Sequence, residues 1–326
     1  MRNSKVEYFR FVLMIAIFFW HIIIHGKHLS DLQYGQNAGS IASLICLALF
    51  VPAVNCFVFL SGFYGINFSV KKIARFSFIA FSSLWIAFFL SKILQLDNSI
   101  SIRYIIFHLF PISTKAWWFL TDYICIVLIT PFLNVGIASL SKKKFLYILG
   151  FLVFINSFGL YLNFASTGSN FFSLLIIYLI GRFWGTFKIS VKRSLLLPIY
   201  VGTTMLMILG LWILFNANMF KLMWVLLYYN NPIVVVQSIS LSLLILLMKP
   251  SYSKVGAFLG ANCFSIYLIT EKLGKPFYQR SACYFDQSGF SFTIFFVAII
   301  VLCLVSNKIL NQLFEMMVSF FTRKRI

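Results

Sequence analysis

The sequence predicts an all-α, polytopic integral membrane protein of about ten transmembrane helices, one membrane domain over residues 1–326 with both termini cytoplasmic. Three observations predict it. Hydrophobic residues make up 61% of the chain and charged residues 10%, and the mean hydropathy is +0.94, far from soluble globular composition. The apolar residues fall in runs of roughly 17 to 25, the length that crosses a hydrocarbon core of about 30 Å. Basic residues cluster between alternate runs, as the positive-inside rule requires.

The first run, 8 to 25, follows a basic start like that of a signal peptide. Its core holds ionisable residues and no small-x-small cleavage site follows, so it is expected to stay as the first span. The second, 41 to 65, is apolar up to Ser61-Gly62, and the third, 77 to 95, begins after Lys71, Lys72 and Arg75. The fourth, 117 to 139, opens on Trp117-Trp118, and the fifth, 145 to 163, follows Lys142–Lys144. The sixth, 171 to 187, and seventh, 195 to 216, are separated by Lys188, Lys192 and Arg193. The eighth, 231 to 248, and ninth, 257 to 272, are separated by Lys249 and Lys254, and the tenth, 291 to 313, precedes Arg323–Arg325. Two connecting segments, 101 to 118 and 216 to 231, are apolar enough to lie along or dip into the membrane.

A formal charge of +20, from 27 Lys and Arg against 7 Asp and Glu, raises the question of nucleic acid. The placement of the charges answers it. With the amino terminus inside, only Lys27, Lys92, Arg103, Lys115, Lys221, Lys272, Lys275 and Arg280 fall outside the cytoplasmic segments, so no groove for a phosphate backbone is expected. The partners expected are membrane lipids and not nucleic acid. Five of the six cysteines, Cys46, Cys56, Cys125, Cys263 and Cys303, sit in apolar runs and Cys283 in a polar loop, so they read as packing residues.

The first span carries Glu7, Arg10, His21 and His25. Arg10 and His21 are eleven residues apart, three helical turns plus about 20°, with a rise of about 16.5 Å. Glu7 and His25 fall near the same stripe. A mid-span charge facing lipid costs roughly 3 kcal/mol or more, so the stripe should face the bundle interior or a water-filled cavity. One reading is structural: an interfacial Glu7–Arg10 pair and a hydrogen-bonded interior His21. The other is a path for a long ligand, with Arg10 gripping an anionic head and His21 exchanging a proton about half-way across. An acyl-coenzyme A, phosphates at one end and a thioester at the tip of a pantetheine arm, is such a ligand. His21 and His25 could also give two metal ligands, but spacing suggests no third, so no metal is expected.

Four stretches resemble the membrane-bound acyltransferase type-three family, in particular its surface-polysaccharide O-acetyltransferase branch. Glu7-Tyr8-Phe9-Arg10, ten residues, then His21 matches an acidic-x-x-Arg-x10-His signature, and His25-Gly26 looks like that branch. "VNCFVFLSGFYGI", residues 54–66, is similar to the Ser-Gly-aromatic motif ending the second span, with Asn55 where many members have Asp. "WWFLTDYICIVLITPFLNVGI", residues 117–137, and "SIYLITEK", residues 265–272 and containing Tyr267, resemble two further motifs, with Thr270 in the second where the family usually has His. The resemblance implies transfer of an acyl group, usually acetyl, from cytoplasmic coenzyme A to a hydroxyl of an extracytoplasmic or lipid-linked glycan, in a bacterial cytoplasmic membrane.

On this reading His21 is catalytic, and Arg10, Glu7, Arg75 and Lys72 bind the acyl-coenzyme A. Asn55, Ser61, Gly62, Trp117, Trp118, Asp122, Tyr267 and His25 line the acceptor pocket. Each has a plainer reading beside it. Ser61-Gly62 lacks a nucleophile elbow and suits close helix packing, while Lys71, Lys72 and Arg75 satisfy topology and anionic lipid alone. Trp117 and Trp118 suit an interfacial belt as well as a sugar ring, and Asp122 could accept sugar hydroxyls or orient a histidine. Arg182 either snorkels or joins a phosphate site, and Glu271 is either a rim charge or a partner for His21. A transporter or flippase for a polar lipid or glycan would use the same intramembrane charges, and a family member that binds without catalysis would fit Thr270.

Overall fold

The computed structural model describes residues 3–27, 38–96, 101–158 and 167–323, which are helical and contain no strand. Helix α1 (Ser4–His21) runs directly into a π-helical turn, Ile22–Gly26. The second apolar run is two helices, α2 (Ala38–Phe50) and α3 (Ala53–Tyr64), divided at Val51-Pro52. Then come α4 (Val70–Ile93), the short α5 (Ile102–Phe107), α6 (Trp118–Ser139), α7 (Lys142–Phe158) and α8 (Phe171–Phe187). The remaining helices are α9 (Arg193–Asn216), the short α10 (Phe220–Leu226), α11 (Pro232–Leu246), α12 (Lys254–Asn262), α13 (Phe264–Gln287) and α14 (Gly289–Arg323).

Local chemistry sets the starts. Side chains of Asn3, Ser69, Asn170, Asn231 and Ser253 accept from the first-turn amides of α1, α4, α8, α11 and α12, and Pro232 opens α11, where a missing N–H costs nothing. Among the described residues six helical stretches are long and apolar enough to cross a membrane: Ser4–Gly26, Ser40–Tyr64, Val70–Ile93, Trp118–Ser139, Arg193–Asn216 and Gly289–Thr322. Phe171–Phe187 and Pro232–Leu246 are shorter apolar helices. Many large apolar side chains of α7, α9 and α14, such as Phe151, Leu206 and Val297, are exposed, as lipid-facing residues must be.

Two expectations change. The run 257 to 272 is not one helix: it breaks at Cys263, and α13 continues well past Lys272. Cys283, expected in a loop, lies inside α13. The expected connectors 101 to 118 and 216 to 231 hold α5 and α10.

The chain divides into two compact units. The first comprises residues 1–28, 69–117 and 250–326, and the second residues 29–68 and 118–249. In the first, α13 packs on the π turn, α4, α14 and α1, while α1 lies against α12. That last contact depends on glycine: a Cβ on Gly260 would stand 2.1 Å from Glu7 Oε2 and 2.8 Å from Glu7 Cα.

In the second unit α3 packs against α8 backbone to backbone. A Cβ on Gly62 would meet the Tyr178 carbonyl oxygen at 2.1 Å, one on Gly181 the Phe59 oxygen at 2.2 Å and one on Gly185 the Phe63 oxygen at 2.0 Å. Buried amides add polar glue, as where Gln237 Nε2 donates to the Ala48 carbonyl at 3.3 Å and to Thr204 Oγ1 at 3.0 Å.

Candidate active site

The site in the first unit is built on α1. Because α1 is one uninterrupted α-helix from Ser4 to His21, Arg10 and His21 keep the separation of about 16.5 Å along its axis. Glu7 is buried, 6% exposed, against Gly260, and its Oε2 lies 3.2 Å from Arg10 Nη1. The pair is therefore real, with the Glu7 side chain buried and the Arg10 side chain about one-third exposed.

At the other end of α1, His21 Nδ1 lies 3.5 Å from Glu271 Oε2 and 3.3 Å from the Tyr278 hydroxyl. Tyr278 donates to Thr270 Oγ1 at 3.4 Å, and Thr270 donates to the Ile266 carbonyl at 2.7 Å. This chain fixes a direction. The phenol proton goes to Thr270, so the Tyr278 hydroxyl can accept from Nδ1–H of His21, with Glu271 Oε2 close to the same nitrogen as a charge partner, and the Nε2 lone pair is then the basic one. The His21 ring faces those of His25 at 5.6 Å, Tyr278 at 5.4 Å and Tyr267 at 6.5 Å.

A kink in α13 brings these groups together. Gly274 has φ +68°, a conformation suited to glycine, and Pro276 follows in the first turn of the resumed helix. Thr270 and Glu271 come just before the break and Tyr278 just after it, so both halves reach the same imidazole. On the α1 side the π turn packs on α13. A Cβ on Gly26 would stand 2.5 Å from the Tyr278 carbonyl oxygen, so glycine is what seats the turn on α13.

The remaining first-unit residues are placed differently. Arg75 Nη2 and Lys71 Nζ both lie 2.6 Å from the carboxylate of Glu315 on α14, and the Arg75 guanidinium sits 5.9 Å from the centre of the Phe314 ring. Arg75 is thus engaged with an acid of its own unit, while the side chain of Lys72 is exposed. Trp117 is 1% exposed, donates Nε1–H to the Leu268 carbonyl at 3.2 Å and has the Lys272 ammonium 4.7 Å over its ring. It is a packed strut and not part of a surface belt. Lys272 also donates to the Tyr104 hydroxyl and the Ala116 carbonyl. Burial and the Glu271 charge push the Tyr104 phenol above its ordinary pKa, so it stays a neutral partner.

Asn55, Ser61, Gly62, Trp118 and Asp122 belong to the second unit. Asn55 donates to the Tyr229 carbonyl at 2.8 Å, and Trp118 stacks on the Tyr229 ring at 5.7 Å. Ser61 donates to the Phe57 carbonyl at 3.0 Å and accepts from the Tyr123 hydroxyl at 3.2 Å, an arrangement with no base for a nucleophile. Gly62 is the α3–α8 contact. Asp122 is buried, 5% exposed, on the inner face of α6.

A family model described as an acyltransferase domain matches residues 3–310, from before Glu7 to beyond the kinked α13. The chain belongs to the acyltransferase type-three family. Membership, with the apolar helices, supports a membrane acyltransferase. No curated protein and no solved structure gives a significant match.

Three features of this acyltransferase escaped the sequence: the role of Tyr278, the reach of α13 past Lys272 and the Gly256-x-x-x-Gly260 seat for α1. Each had a signal. Gly274-Lys-Pro276 marks a break after which a helix can restart on proline, and two small residues four apart mark a close helix contact.

Proposed function

We propose that this acyltransferase transfers an acyl group, in particular acetyl, from coenzyme A to a hydroxyl of a cell-surface polysaccharide or its lipid-linked precursor. It does so in the bacterial cytoplasmic membrane, with about ten spans and both termini cytoplasmic. The observation that carries the reading is the pairing of His21 Nδ1 with Glu271 on the helix that bears Arg10 eleven residues earlier. The family match supports the reaction class.

Arg10, oriented by Glu7, holds the phosphates of the donor, with the exposed Lys72 adding charge. With Nδ1 hydrogen-bonded to Tyr278 and facing the Glu271 carboxylate, His21 takes the proton of the acceptor hydroxyl on Nε2 as the oxygen attacks the thioester carbonyl. The tetrahedral intermediate then collapses, the carbon–sulfur bond breaks, and the imidazolium returns its proton to the departing thiolate. Glu271 stabilises the transient imidazolium, and no acyl-enzyme is needed. His25 and Tyr267, with Trp117 as packing support, are assigned to the acceptor side.

The test compares surface glycan from wild-type and His21→Ala strains by mass and proton resonance, at matched protein level. Ester groups should disappear from an otherwise intact glycan, with transfer falling about 10²- to 10⁴-fold. Unchanged ester content would remove the catalytic role. Loss of the whole glycan would instead identify a transporter.

A further inference from the structure

The end of α8 that leads into Lys188, Lys192 and Arg193 carries an arginine, Arg182. Arg182 lies in the second unit, whose acidic residues are Asp31 and Asp122, and none of the ion pairs among the described residues involves it. Its Nε is buried and has no hydrogen-bond partner among the described residues.

The surroundings are rigid. Gly65 closes α3 with φ +76° and ψ 144°, a backbone state reserved for glycine, and a Cβ there would stand 2.5 Å from Arg182 Nη1. The next residue is pinned on both sides: the Ile66 amide donates to the Tyr178 hydroxyl at 3.4 Å, and its carbonyl accepts from Asn134 Nδ2 at 3.2 Å. Asn134 Oδ1 is also buried and has no donor among the described residues. The adjacent residues Gly65 and Ile66 thus have on one side a cation with an unused donor, on α8, and on the other an amide oxygen with unused capacity, on α6.

Withdrawing the Nε–H from water without an acceptor is unfavourable, and the planar fork matches two oxygens of a phosphate. The amide oxygen complements it by accepting a hydroxyl, as on a ribose or a protonated phosphate oxygen. A snorkelling arginine would reach away from the protein, whereas this one lies on the Gly65 turn. We infer that Arg182, with Asn134 and the Gly65 turn, forms a binding site for a phosphate ester. Where the ester is that of coenzyme A, the site rests on the function proposed above. A phospholipid headgroup presents the same chemistry.

The test uses the full chain in nanodiscs of phosphatidylcholine, with and without phosphatidylglycerol, titrated with coenzyme A or inorganic phosphate. If the donor is the source, Arg182→Gln weakens coenzyme A binding about ten- to hundredfold, Arg182→Lys falls between, and phosphate competes only against the wild type. If the headgroup is the source, phosphatidylglycerol raises the melting temperature of the wild type and not of Arg182→Gln. Binding and stabilisation equal to wild type in Arg182→Gln overturn the site and leave the acyl donor reading standing. A wild type that binds phosphate through Arg182 but ignores coenzyme A does the reverse. Should Arg182→Gln not fold, Arg182→Lys decides: affinity for coenzyme A and phosphate equal to wild type, with equal stabilisation by phosphatidylglycerol, overturns the site.

Discussion

Glu271 is the residue whose meaning changed most. From the sequence it was a charge at the edge of a span, rim or partner, and the structure sets its carboxylate 3.5 Å from His21 Nδ1. A carboxylate in that position orients the ring and stabilises the imidazolium, a positioning role. Glu271→Gln should therefore lower kcat by about 10²-fold while leaving the KM for the acyl donor near wild type, and Glu271→Asp should recover part of the loss. A KM change with unaltered kcat would contradict the assignment. Tyr278→Phe removes only the hydroxyl between His21 and Thr270, and transfer should fall by no more than about tenfold, the scale of one hydrogen bond. Arg10 and His21 were legible in the sequence because helical phase is fixed over one unbroken helix. Tyr278 was not, because its approach depends on a bend whose direction no spacing encodes.

At the scale of elements, glycine sets how closely helices meet. Gly260→Leu would drive a side chain into Glu7 and separate α1 from α12. Such overpacking should cost about 1–3 kcal/mol, read as a lowered denaturation midpoint, and should weaken coenzyme A binding through Arg10. Gly181→Ala meets backbone at 2.2 Å, which has no side chain to move aside, so it should be at least as damaging to stability. Lengths of apolar runs located most helices to within a few residues, since hydrophobic length is a property of the run itself. They failed at 257 to 272, where a break at Asn262-Cys263 divides one apolar run between two helices. The split at Val51-Pro52 was hidden for the same reason: a proline does not make a run less hydrophobic.

For the whole molecule the charge pattern predicts sidedness, and native Cys283, exposed on α13, is a ready reporter. In intact cells a membrane-impermeant maleimide should label Cys283, whereas a cysteine placed at Lys143 should react only after permeabilisation. The opposite pattern would invert the proposed topology. Charge counting reads the ends of spans and says nothing of pairing inside them. That is why Lys71 and Arg75 looked equivalent to any cytoplasmic cluster until both were found on Glu315.

The turn at Ile22–Gly26 has one residue more than an α-helix would use for the same bend. Deleting a single residue among Ile22, Ile23 and Ile24 should therefore leave a continuous α-helix in place of the π turn. Everything after it would keep nearly its phase, because the wider π turn already absorbs the extra residue, so His25 should stay beside the His21 ring and Gly26 on α13. His21, upstream of the deletion, would keep its place on α1. The deletion would thus straighten the turn while keeping both histidines on the same face, and transfer should survive it.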